Sequence, residues 1–117
     1  MLRLPGSVRV FLCLVPVDMR RSFDGLAGLA EQVVRQDPLS GHLFVFRGRR
    51  GDRVKILWWD QDGYALWYKR LEKGVFRFPA DVLQAKEITS TELGFILDGV
   101  DLRSVKRQKR FALTPRA

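Results

Sequence analysis

The sequence predicts one α+β domain: a mostly antiparallel sheet of four or five strands, one helix packed on a face, and a short C-terminal helix. Three observations carry that prediction. Strand-like runs at 42–47, 53–59 and 64–70 follow one another across short glycine-containing turns. One amphipathic stripe lies between Ser22 and Asp37, with apolar residues at offsets of three and four. The 117 residues, 46% hydrophobic and 29% charged, suffice for one core and leave no room for a second of useful size.

The first element, VRVFLCLVPV (8–17), is apolar on both alternating faces, so it reads as a central strand covered on both sides, with Pro16 at an irregular end. Ser22 is placed to cap the helix whose stripe is Leu26, Leu29, Ala30, Val33 and Val34. Gly25 and Gly28 either weaken that helix, by about 1 kcal/mol each, or let it lie close to the sheet. Asp37-Pro38 is expected to stop it, because the residue before proline is pushed out of helical geometry. HLFVFR, RVKILWW and YALWYKR then form an antiparallel meander, turned at Gly48–Gly51 and at Asp60–Gly63, where glycine is expected to supply positive φ and Asp to hydrogen-bond its own turn. VFRF (75–78) offers a fourth meander strand before Pro79. Thr89 with Glu92 three residues on has the spacing of a capping box, and Gly99 suits the position after a helix of about 90–98. The domain is expected to span 1–101. After Asp101 no acidic residue remains, so 102–117 reads as a basic tail, disordered in isolation through self-repulsion.

Chemistry has few candidates. Asp52, Asp60 and Asp62 sit in turns, Asp37 precedes a proline, Asp24 and Glu92 lie in helix first turns, and no spacing among them matches a metal loop. His42 is the only histidine and has no Cys or His beside it, so it reads as a strand-start residue. Cys13, the only cysteine, lies in an apolar strand and suits a buried small hydrophobe; it allows no internal disulfide and agrees with a reducing cytoplasm. The apolar run 8–17 is too short for a membrane span and lacks a cleavage site. No cofactor, metal or catalytic residue is expected.

Charge points elsewhere. Lys+Arg 21 against Asp+Glu 13 gives +8, an excess that favours a polyanionic partner, nucleic acid ahead of an acidic membrane. The richest basic cluster runs from Arg47 to Arg77 and is interleaved with Trp58, Trp59, Tyr64, Trp67 and Tyr68. If Asp60–Gly63 closes a hairpin, parity puts Lys55, Leu57, Trp59, Tyr64, Leu66, Tyr68 and Arg70 on one face and Val54, Ile56, Trp58, Ala65, Trp67 and Lys69 on the other. Both faces carry aromatic rings, so the pattern leaves open which one is wet, and whether the rings are core or a stacking platform.

The blocks DMRRSFDGLAGLAEQV (18–33) and DPLSGHLFVFRGRRGDRVKILWWDQDGYALWYKRLEKGVFRFP (37–79) resemble the small TnpB accessory protein of the sixty-six family of bacterial insertion sequences, over about 8–99. The resemblance implies a role in transposition beside a separate, larger transposase that carries the catalytic carboxylates, and it defines no catalytic residue here. The expected function is thus a non-catalytic accessory that binds DNA, the transposase, or both. The alternatives are a pure protein-interaction subunit without DNA contact and a small metal-dependent nuclease, for which clustered acids are wanting. Among the matching positions, Arg20, Arg47, Arg53, Lys55, Lys69 and Arg70 are those for which folding makes no obvious demand. With Arg49 and Arg50 of the glycine-bounded turn and Lys106, Arg107, Lys109 and Arg110 of the tail, they are the candidate binding residues.

Overall fold

A computed structural model describes residues 6–80 and 83–99. Its elements are β1 (Val10–Val17), helix α1 (Phe23–Leu29) widening into a π-helical turn (Ala30–Val34), β2 (Leu43–Gly48), β3 (Arg53–Asp60), β4 (Gly63–Arg70), β5 (Ala85–Ile88) and α2 (Ser90–Leu97). The five strands form one sheet in the order β4-β3-β2-β1-β5. The class is α+β as the sequence predicts, but the sheet is mixed. β1 pairs parallel with β2, from Val10 opposite Leu43 to Cys13 opposite Phe46, while the other pairings are antiparallel. Parallel neighbours need a crossover, and α1 supplies it.

The doubly apolar pattern of β1 is explained by helices on both faces. Leu26, Ala27, Ala30 and Val34 pack on Phe11, Cys13, Val17, Phe44, Phe46 and Leu57. On the opposite face Leu93, Ile96 and Leu97 of α2 pack on Leu12, Leu43, Val45, Val54 and Ile56. The β3–β4 register places Ile56 opposite Trp67 and Leu57 opposite Leu66, as hairpin parity requires. The rings therefore divide: Trp58 and Trp67 border the α2-side core, and Tyr64 borders the α1-side core, its ring edge-on to Trp59 at 5.2 Å.

Several local expectations need correction. The segment 75–78 is not a strand; the Phe76 N–H donates to Gly51 O at 2.8 Å and its ring is buried in the α2-side core. The fifth strand is instead Ala85–Ile88, antiparallel to β1. The helical run from α1 ends at Arg35, whose φ of 62° lies in the left-handed region, two residues before Asp37. Asp37 acts in the following turn, accepting the Leu39 N–H at 2.9 Å. Ser22 takes the N-cap position without a side-chain bond. Neither helix glycine serves close approach to the sheet: a Cβ on Gly28 would meet nothing within 4 Å, and one on Gly25 would meet only Arg21. In the β3–β4 turn the positive φ, 57°, falls on Gln61 rather than on Gly63. At α2 the capping box forms as predicted, with Thr89 Oγ1 accepting from the Glu92 N–H at 3.1 Å and Glu92 Oε1 accepting from the Thr89 N–H at 3.0 Å. Gly99 follows with φ +77°.

Candidate nucleic-acid interface

Because β1 and β2 run parallel, both finish at the same end of the sheet, where Val17 pairs with Gly48. The chain leaves β1 through the loop 18–22 and leaves β2 through the turn 48–52, so two arginine-bearing loops lie side by side. The turn closes with the Gly51 N–H on Gly48 O at 3.1 Å, and Gly51 takes φ +81°. Gly48 is pressed against the other loop: a Cβ there would stand 2.8 Å from Met19 Cγ.

Lys55 ties this end to the sheet. Only 6% exposed, it sends its ammonium out from β3 to donate to Met19 O at 2.8 Å and Arg21 O at 2.6 Å, 4.7 Å from the centre of the Tyr68 ring. Asp18 shapes the loop from within. It accepts the Arg20 backbone N–H at 2.9 Å and grips the Arg20 guanidinium through both oxygens, with Nη2 at 2.7 Å. The hydrogen bonds from Arg20, with a smaller pull from Arg49, hold the Asp18 carboxyl well below the usual carboxylate range.

Between the loops lies a depression of about 330 Å³, lined by Val17, Asp18, Met19, Arg20, Gly48, Arg49, Arg50, Asp52 and Arg53. A second hollow shares Arg53 and continues over Tyr68, Arg70 and Glu72. Arg53 Nη1 donates to Tyr68 Oη at 3.3 Å, and Arg70 pairs with Glu72 at 3.0 Å. Arg20 and Arg70 thus each have a carboxylate of their own. Arg49 and Arg50 are exposed and have no carboxylate within ion-pair distance among the described residues. Planar guanidinium forks around an open hollow suit the paired oxygens of phosphate or carboxylate groups.

The sequence-predicted residues therefore separate. Arg20, Arg49, Arg50 and Arg53 come together around one depression, with Arg70 beside it. Lys69 is exposed on the other face, opposite Val54. The expectation that folding makes no demand on Arg47 and Lys55 is corrected. Arg47 is half-buried, donates to Leu14 O at 3.2 Å and lies 5.6 Å from the Phe78 ring centre. Lys106, Arg107, Lys109 and Arg110 lie outside the described residues. Sequence reasoning missed Asp18 and Met19 as parts of this end; the signal available was Asp18 two residues before Arg20 in a loop, the spacing of a local carboxylate–guanidinium bite.

Elsewhere, His42 Nδ1 accepts the Arg9 N–H at 2.9 Å, and Arg9 pairs with Glu87 of β5 at 2.7 Å. Cys13 is buried, and burial pushes its thiol up. Among the described residues no three of His, Cys, Asp and Glu stand close enough to hold a metal ion, and no helix is long and apolar enough to cross a membrane.

These observations define a small α+β protein with a loop-built cationic end. The chain belongs to the family described as IS66 Orf2 like protein, which it matches over residues 8–107. That family comprises accessory proteins of IS66 insertion sequences and is not a known catalytic one. Two relatives from Sinorhizobium fredii (strain NBRC 101917 / NGR234) carry only the description of uncharacterized proteins. One, y4hO, is 40% identical over 97 residues, covering 83% of this chain and 84% of its own. The other, y4jC, is 37% identical over 102 residues, covering 87% of each. No solved structure matches the chain.

Proposed function

We propose that this accessory protein serves transposition by gripping nucleic-acid phosphates with its cationic end, and that it leaves the chemistry to a separate transposase. The observation that carries the reading is the convergence of Arg20, Arg49, Arg50 and Arg53 on one open depression built from two loops. Phosphate contacts position a protein on a duplex without reading its sequence. Replacing Arg49 and Arg50 together by Ala is therefore expected to weaken binding to element-end and scrambled duplexes alike. The slope of log affinity against log salt should fall by up to about two units, read by anisotropy titration at several salt concentrations. A double variant that binds DNA with unchanged affinity and slope but no longer associates with the transposase would overturn this reading and make the end a docking surface for an acidic protein face.

A further inference from the structure

Among the described residues β4 is an edge strand: it pairs with β3 and has no neighbour on its other side. The hairpin pairs Asp60 with Gly63 across Gln61 and Asp62. A two-residue turn closes on a pair that exchanges its backbone hydrogen bonds, and the exchange alternates from there. Gly63, Ala65, Trp67 and Lys69 thus bond to β3, and Tyr64, Leu66, Tyr68 and Arg70 turn their N–H and C=O outward. Among the described residues no backbone bond reaches that outer row. The edge is eight residues long and contains no proline, and its charged residues, Lys69 and Arg70, stand together at its far end, so its middle is open to strand addition.

We propose that the outer edge of β4 pairs antiparallel with the same edge of a second copy, about a twofold axis at Leu66, to form a dimer with one continuous sheet. The strand is complementary to itself in that register. Leu66 faces Leu66, Tyr64 faces the other copy's Tyr68, and Asp62, in the turn one residue before the strand, comes beside the other copy's Arg70, the last two pairs occurring twice by symmetry. Tyr64, Leu66, Tyr68 and Arg70 belong to the outward-bonding set, so Leu66–Leu66 and both Tyr64–Tyr68 pairs are hydrogen-bonded pairs. All four also stand on the α1 side of the sheet, where cross-strand aromatic and opposite-charge pairs are favourable. A shift of two residues keeps the hydrogen bonds and separates these side-chain pairs. Asp62 is exposed, and Arg70 is committed only to Glu72 in a pair whose side chains are 56% and 84% exposed. Such a pair holds its guanidinium weakly, so re-pairing across the interface meets little opposition.

The test uses the full chain and sedimentation velocity over a concentration series. The unsubstituted chain is expected to sediment as a dimer. Asp62→Arg alone and Arg70→Asp alone set like charges opposite each other and should each raise the dimer dissociation constant at least tenfold. An equimolar mixture of the two variants restores both opposite-charge pairs, so it should form a heterodimer about as readily as the unsubstituted chain forms its dimer. That recovery also shows both variants to be folded. A monomeric unsubstituted chain, a dimer indifferent to both substitutions, or a mixture that stays monomeric would each overturn the proposal.

Discussion

At the scale of single residues, Lys55 separates what a sequence can say from what it cannot. Its face follows from hairpin parity and is the one observed. Its burial does not follow, because the carbonyls that receive its ammonium, on Met19 and Arg21, come from a loop more than thirty residues away. Lys55→Met keeps the volume of the stem and strands those acceptors beneath their loop. Hydrogen bonds to a charged group are worth about 1.5–3 kcal/mol, so thermal unfolding should begin roughly 10 °C lower, and phosphate affinity should fall with it because Arg20 rides on that loop. A variant as stable as the parent would show that the ammonium contributes nothing to the loop. Asp18 makes a pH-dependent counterpart. Its folded carboxyl lies below the ordinary value of about 3.9, so its grip on Arg20 stabilises the loop fully above that value and is lost as pH falls through the depressed folded value. Following the Asp18 carboxyl carbon by NMR should show titration displaced to acid, and Arg20→Gln should return it toward the ordinary range.

At the scale of elements, legibility follows how local the cause is. The α2 cap was readable because Thr89 and Glu92 satisfy each other within one turn. The sheet order was not, because an apolar run such as 8–17 looks the same whether its neighbour runs parallel or antiparallel. β5 was missed for a different reason: AKEI is short, its middle is Lys86 and Glu87, and only Ile88 is buried, so it has no apolar period to detect. VFRF has the period of a strand but spends its backbone elsewhere, with Phe76 bonded to the β2–β3 turn. The β3–β4 turn gives a direct test of backbone preference. Gln61 holds φ 57°, where a side chain is disfavoured and glycine is at ease. Gln61→Gly should raise stability by up to about 1 kcal/mol and Gln61→Val should lower it by at least as much, measured by urea denaturation. Equal midpoints for the two would mean that the turn relaxes out of the left-handed region.

At the scale of the whole molecule, the question is whether net charge or local geometry governs binding. After Leu102 the sequence holds six Lys and Arg residues and no acid, so removing that stretch takes the formal charge from +8 to +2. If affinity followed net charge alone, a chain cut after Leu102 would scarcely bind. The cationic end argues otherwise, because Arg49, Arg50 and Arg53 concentrate positive potential in one depression whatever the total. The shortened chain is therefore expected to keep a weaker, still salt-dependent affinity, with a slope reduced by at most about five units, the share that six phosphate contacts would supply. Adding the Arg49 and Arg50 substitutions to it should remove most of what is left. The family match runs to residue 107, so the cut enters the matched segment and needs a companion that keeps the chain intact. Replacing Lys106, Arg107, Lys109 and Arg110 by Gln does this, and it should lower the salt slope while leaving thermal unfolding nearly unchanged. Loss of all binding on neutralising those four would place the interaction in the tail, and the depression between the loops would then have another purpose.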